Sequence, residues 1–287
     1  CPVDAIALVL EVSRLFLRIP IRHLGSIAFT VAGLLAHLVY ILMRAGREDG
    51  QSTPLTSWYD WLLMVAWGVA MAYLVLALRR PQATAGIFAL PLVLVLIAVA
   101  SFFRDAAPFE RDPVWIWGML HGTTLLLGSV FVMLGCISGV MYLVQSYRLK
   151  RKLLPRQGLK LPSLEWLQGA NKLTLIVGSL LLAGGLAAGV MLNLTRPQRG
   201  MPWSDPVIWT SGILLGWLLL SFAFGWFYRP AQRGRKVAYL TLASFLFLAL
   251  VLAMVLAGPS QHASRLIPSA AGSGEPLDSS PPIGGER

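Results

Sequence analysis

The sequence predicts an all-α fold, a polytopic membrane helix bundle of about eight spans with the first one truncated. Three observations predict it. The 287 residues are 56% hydrophobic and 13% charged, with a mean hydropathy of +0.67, a balance foreign to soluble domains of this size. The apolar residues come in repeated runs of about 20, the length that crosses a ~30 Å hydrocarbon layer at ~1.5 Å per residue. The basic residues fall in short loops between those runs, where the positive-inside rule puts them. That placement also removes nucleic acid as the reason for the formal charge of +11.

Segment one runs from Val3 to Leu17, interrupted by Glu11 and Arg14. It reads as the cytoplasmic half of a span, and with Cys1 in place of a starting Met the N-terminus reads as trimmed. Segment two is His23 to Met43, segment three Trp58 to Leu78, and segment four Ala83 to Phe103. Segment five, Trp115 to Lys152, has Trp115 and Trp117 at one end and Arg148, Lys150, Arg151 and Lys152 at the other. Aromatic and basic boundaries of this kind give a span its direction. Pro155 and Pro162 then break the chain, and Ser163 caps a short helix with Leu164, Trp166 and Leu167, expected to lie on the membrane surface. Segments six, seven and eight follow at Leu173 to Leu194, Val207 to Tyr228 and Val237 to Ala257.

All five lysines, Lys150, Lys152, Lys160, Lys172 and Lys236, fall on one side of this arrangement, which is therefore cytoplasmic. Both termini are then external, in the plasma membrane of a bacterium. Residues 1–258 form the bundle, and residues 259–287, rich in Ser, Pro and Gly, form a largely disordered external tail.

The two cysteines, Cys1 and Cys136, show neither CxxC nor metal-ligand spacing, and Cys136 reads as a packing residue in mid-span. The four histidines carry more information. His23 is at the cytoplasmic boundary, His37 in the outer half of segment two, His121 about one turn inside the external end of segment five, and His262 just beyond segment eight. An ionisable group within a membrane is a functional candidate. Two readings stand for His121: a metal ligand, or a neutral imidazole bonded to a neighbouring helix. His37 reads as an interhelical bond, and His262 as a solvated loop residue unless a partner meets it. Trp203 and Trp209 bracket Asp205-Pro206. Interfacial aromatics and a helix cap explain them, and an aromatic pair beside histidines also suits a flat macrocycle whose carboxylates Arg196 and Arg199 would meet. Gly128, Gly135 and Gly139 continue a stripe from His121, with Gly185 and Gly189 in segment six, so close packing along it turns His121 inward.

The sequence resembles the cytochrome c assembly membrane proteins, the Ccs-type haem-handling proteins and their HemX-like branch. The residues that carry the resemblance are His121 with Gly139-Val140-Met141-Tyr142-Leu143, the basic end Leu149-Lys150-Arg151-Lys152, and Leu161-Pro162-Ser163-Leu164-Glu165. Asp205-Pro206-Val207-Ile208-Trp209 and Arg233-Gly234-Arg235 complete it. The similarity covers residues 20–263. It implies two external axial ligands of a haem iron, at His121 and His262, above a tryptophan-rich segment of which Trp203, Asp205, Pro206 and Trp209 remain. The chain departs from the Ccs-type pattern in having no histidine between His121 and His262, and His37 resembles the HemX-like branch.

The resemblance thus implies a protein that holds haem b transiently at the external face during cytochrome c assembly. It implies apocytochrome c and a second assembly membrane subunit as partners, and a chaperone rather than an enzyme. The alternative is a HemX-like regulator of tetrapyrrole synthesis acting on a cytoplasmic enzyme through the basic loop Arg148 to Lys172. A small-solute transporter is disfavoured by the lack of an inverted repeat and of acidic residues in mid-span.

Overall fold

The computed structural model describes residues 21–45, 57–81, 83–103, 115–152, 159–195, 206–227 and 235–257. These residues form seven α-helices: α1 Ile21–Ala45, α2 Trp58–Arg79, α3 Gly86–Ser101, α4 Trp115–Lys150, α5 Leu164–Leu194, α6 Pro206–Phe227 and α7 Arg235–Ala257. Five of them are long and apolar enough to cross a membrane, and the shorter α3 and α6 are also apolar. The chain is an all-helical membrane protein. Segment one lies outside the described residues.

Local chemistry sets several helix ends. The hydroxyl of Ser57 accepts the Asp60 amide at 3.2 Å and donates to the Asp60 carboxylate at 2.8 Å, which starts α2. Ser163 caps α5 through the Trp166 amide at 3.3 Å, as its sequence position predicts. The helix that follows differs from expectation. It is neither short nor separate, but continues without a break to Leu194. The stretch after Ser163 contains no proline, and its Leu167 and Asn171 are completely buried. Packing of that face against neighbouring helices holds the stretch on the bundle.

Helix α4 is the centre of the bundle and packs on α2, α3, α5 and α7. Its longest seam is with α5, and glycines make that seam possible. A Cβ on Gly128 would lie 2.8 Å from two Leu182 side-chain carbons and 3.0 Å from the Leu182 backbone nitrogen. Gly178 faces Val132 in the same way from the other helix. Three apolar clusters fill the interior. Leu62, Val65 and Val69 of α2 meet Val93 and Leu96 of α3 and Val130 and Met133 of α4. Leu90, Met141, Leu167 and Ala238 join α3, α4, α5 and α7. Val132, Leu182, Leu214, Leu218 and Leu248 join α4, α5, α6 and α7.

The helix ends that carry Arg and Lys gather at one end of the bundle. The Arg148 guanidinium donates to the Leu159 carbonyl at 3.0 Å, and the Thr84 amide to the Lys160 carbonyl at 2.8 Å. Arg235 donates to the Ser146 hydroxyl at 2.9 Å, and the Arg80 guanidinium lies 4.8 Å from the centre of the Trp166 ring. With 36 and 31 residues, α4 and α5 reach ~54 and ~46 Å, well beyond the ~30 Å hydrocarbon layer. The basic ends of α4 and α5 thus form one helical hairpin, made of two helices longer than that layer is thick.

Candidate functional site at the His121 end

His121 lies on the second turn of α4, at the end of the bundle opposite the basic hairpin. A histidine here could point to lipid or inward, and the α4–α5 seam decides. The imidazole meets α5, where its Nδ1 lies 2.6 Å from the Gly185 carbonyl oxygen. A carbonyl can only accept, so Nδ1 carries the proton and donates it. A neutral ring protonated there keeps its lone pair on Nε2. The ring also occupies the space over Gly189, where a Cβ would meet Nδ1 at 2.7 Å and Cε1 at 2.8 Å. Both sequence readings of His121 thus share one geometry: an interhelical bond through Nδ1, and a donor nitrogen of the kind metal-bound histidines present.

Around it the end of α4 is lined by hydroxyls that bond their own helix. Thr123 donates to the Met119 carbonyl at 2.7 Å and Thr124 to the Leu120 carbonyl at 2.6 Å. Thr124 and Leu125 also pack over Gly185, where a Cβ would lie 2.7 to 2.9 Å from their side chains. The same close approach that delivers the carbonyl to His121 therefore depends on Gly185.

The other candidates divide. Trp209 is in the first turn of α6 and 62% exposed, at the same end of the bundle as His121. His37 is buried on α1, which packs on α2, so it belongs to a different helix pair from His121. One turn on either side of it, Leu34 accepts from the Trp67 indole at 3.2 Å, and Tyr40 stacks edge-on with Tyr59. Trp203, Asp205 and His262, with Arg196 and Arg199, lie outside the described residues. Among the described residues no cluster of three or more His, Cys, Asp or Glu side chains could hold a metal ion. A pair of axial histidines does not need one.

A second polar centre was not foreseen. Ser138 of α4 donates to the Asn171 side-chain carbonyl of α5 at 2.7 Å, and both are buried. Gly139 faces Thr241, so α7 closes on the same place. Its trace in the sequence is Asn171, two turns into α5 among Gln168, Lys172 and Thr174.

Comparison with known proteins matches residues 55–258 to the cytochrome c assembly protein family. The match takes in α2 to α7 and includes His121. The chain belongs to the cytochrome c assembly family. A relative described as cytochrome c biogenesis protein CcsA, from Pyropia yezoensis, is 22% identical over 76% of this chain and 73% of its own. CcsA proteins of Chlorella vulgaris and Gloeobacter violaceus are 24% and 26% identical over 34% and 47% of this chain, and over 33% and 41% of their own lengths. No solved structure matches. As a member of the cytochrome c assembly family, the chain has its role in cytochrome c biogenesis.

Proposed function

We propose that the chain is a haem-handling protein of cytochrome c assembly that holds haem at the His121 end of its bundle. The observation that carries this reading is the 2.6 Å bond from His121 Nδ1 to the Gly185 carbonyl. It turns the ring into the seam, fixes the tautomer, and directs basicity to Nε2, the arrangement that suits an iron ligand. His121 and His262 are the proposed axial pair, with Trp203 and Trp209 against the ring and Asp205 ordering their loop. His37, on its own helix pair, supports the same end.

Haem b supplies vinyl groups for thioether bonds to an apocytochrome c, while this chain orients the ring and excludes water from it. It acts as a chaperone, with a second assembly membrane subunit presenting the apocytochrome. The topology proposed with this function has about eight spans within residues 1–258, a tail at 259–287, and both termini on the external side of a bacterial plasma membrane.

The test is the haem content of protein purified in mild detergent after expression with excess haem. Wild type shows a Soret band, and His121→Ala and His262→Ala each weaken it. Haem-free wild type would sink this reading and leave the HemX-like regulator, acting through the basic hairpin, as the one standing.

A further inference from the structure

The turn of α5 between Gly185 and Gly189 does two things for His121 at once. It offers a backbone carbonyl as hydrogen-bond acceptor, and it leaves empty the volume the ring fills. These are linked by helix geometry. Each Cα–Cβ bond tilts toward the helix N-terminus, so a side chain covers the turn before its own Cα. The carbonyl of residue 185 therefore lies beneath whatever side chain residue 189 carries. Glycine at 189 uncovers it to a lateral donor. Any larger residue would put its Cβ at 2.7 Å from Nδ1 and 2.8 Å from Cε1, closer than such atoms can approach.

Not every glycine of this helix carries such a demand. A Cβ on Gly184, next in sequence to Gly185, would meet nothing within 4 Å. Gly189 is thus set apart from a general preference for small residues by the ring that sits on it.

We propose that Gly189 and the Gly185 carbonyl are the positioning elements of His121, selecting the tautomer protonated at Nδ1 and holding Nε2 toward its ligand. This deepens the haem reading and rests on it for what Nε2 binds. The tautomer itself is testable without haem. An imidazole free in water prefers its proton on Nε2, so a histidine protonated at Nδ1 reports the constraint directly.

The chain carries four histidines, few enough for ¹⁵N-histidine labelling, with His121 assigned by its loss in His121→Ala. In haem-free wild type the His121 signals should be those of the tautomer protonated at Nδ1. Gly189→Ala should move them to the other tautomer and weaken haem binding by about tenfold or more. Gly184→Ala should change neither. If Gly189→Ala does not fold, the double variant His121→Ala/Gly189→Ala should fold again, because the ring that the methyl strikes is gone.

A wild-type His121 protonated at Nε2, a tautomer unchanged by Gly189→Ala, or a double variant as unfolded as the single one would each overturn the proposal. A tautomer that switches as expected in a protein that binds no haem would uphold the positioning and overturn only the haem reading.

Discussion

His121 spends one ring nitrogen on the Gly185 carbonyl, and that choice determines what the other nitrogen can be. The sequence could place His121 in a membrane helix and suggest that the glycines turned it inward. It could not say which carbonyl it would meet, because that depends on the register of two helices that brings together residues 64 apart in sequence. The same limit hid the Ser138–Asn171 bond, which joins α4 to α5 with no motif to announce it. Asn171 has no exposed surface, so a lost partner cannot be replaced by bulk water. Ser138→Ala should therefore lower stability by about 1 kcal/mol, in line with polar pairs measured in membrane bundles. Reversible unfolding of the detergent-solubilised protein measures it, and no change would mean that the Asn171 side-chain carbonyl is satisfied elsewhere.

Helix boundaries were the most legible part of the fold, because long apolar runs and basic termini leave few alternatives. The expectation that failed was the short surface helix after Ser163, which is the first part of α5. A 3.6-residue pattern cannot distinguish a helix lying on a membrane from the first turns of a longer helix packed in the bundle; burial of Leu167 and Asn171 does. The α4–α5 seam gives an element-scale prediction with two signs. Gly128→Ala forces a methyl against Leu182 and should cost ~1–3 kcal/mol. Gly122→Ala, with nothing within 4 Å, should be neutral or gain up to ~1 kcal/mol from helix propensity. The difference in thermal midpoint between the two variants measures this, and equal effects would contradict the close contact at Gly128.

The seven described helices run alternately up and down, and the contacts of Arg80, Arg148, Lys160 and Arg235 collect one set of ends into a single basic face. If that face is cytoplasmic, a probe should find it only from inside. After Cys1 and Cys136 are replaced by Ser, Lys152→Cys should react with an impermeant maleimide only in opened cells, and Ile116→Cys, at the other end of α4, in intact ones. The reverse pattern would invert the topology and put His121 on the cytoplasmic side. The proposed haem site turns on His121 as an iron ligand. Electron paramagnetic resonance of the oxidised, haem-loaded protein tests it most directly. Wild type should give a low-spin signal with two nitrogen axial ligands, and His121→Ala a high-spin signal that returns to low spin when imidazole is added. A low-spin signal unchanged in His121→Ala would contradict it.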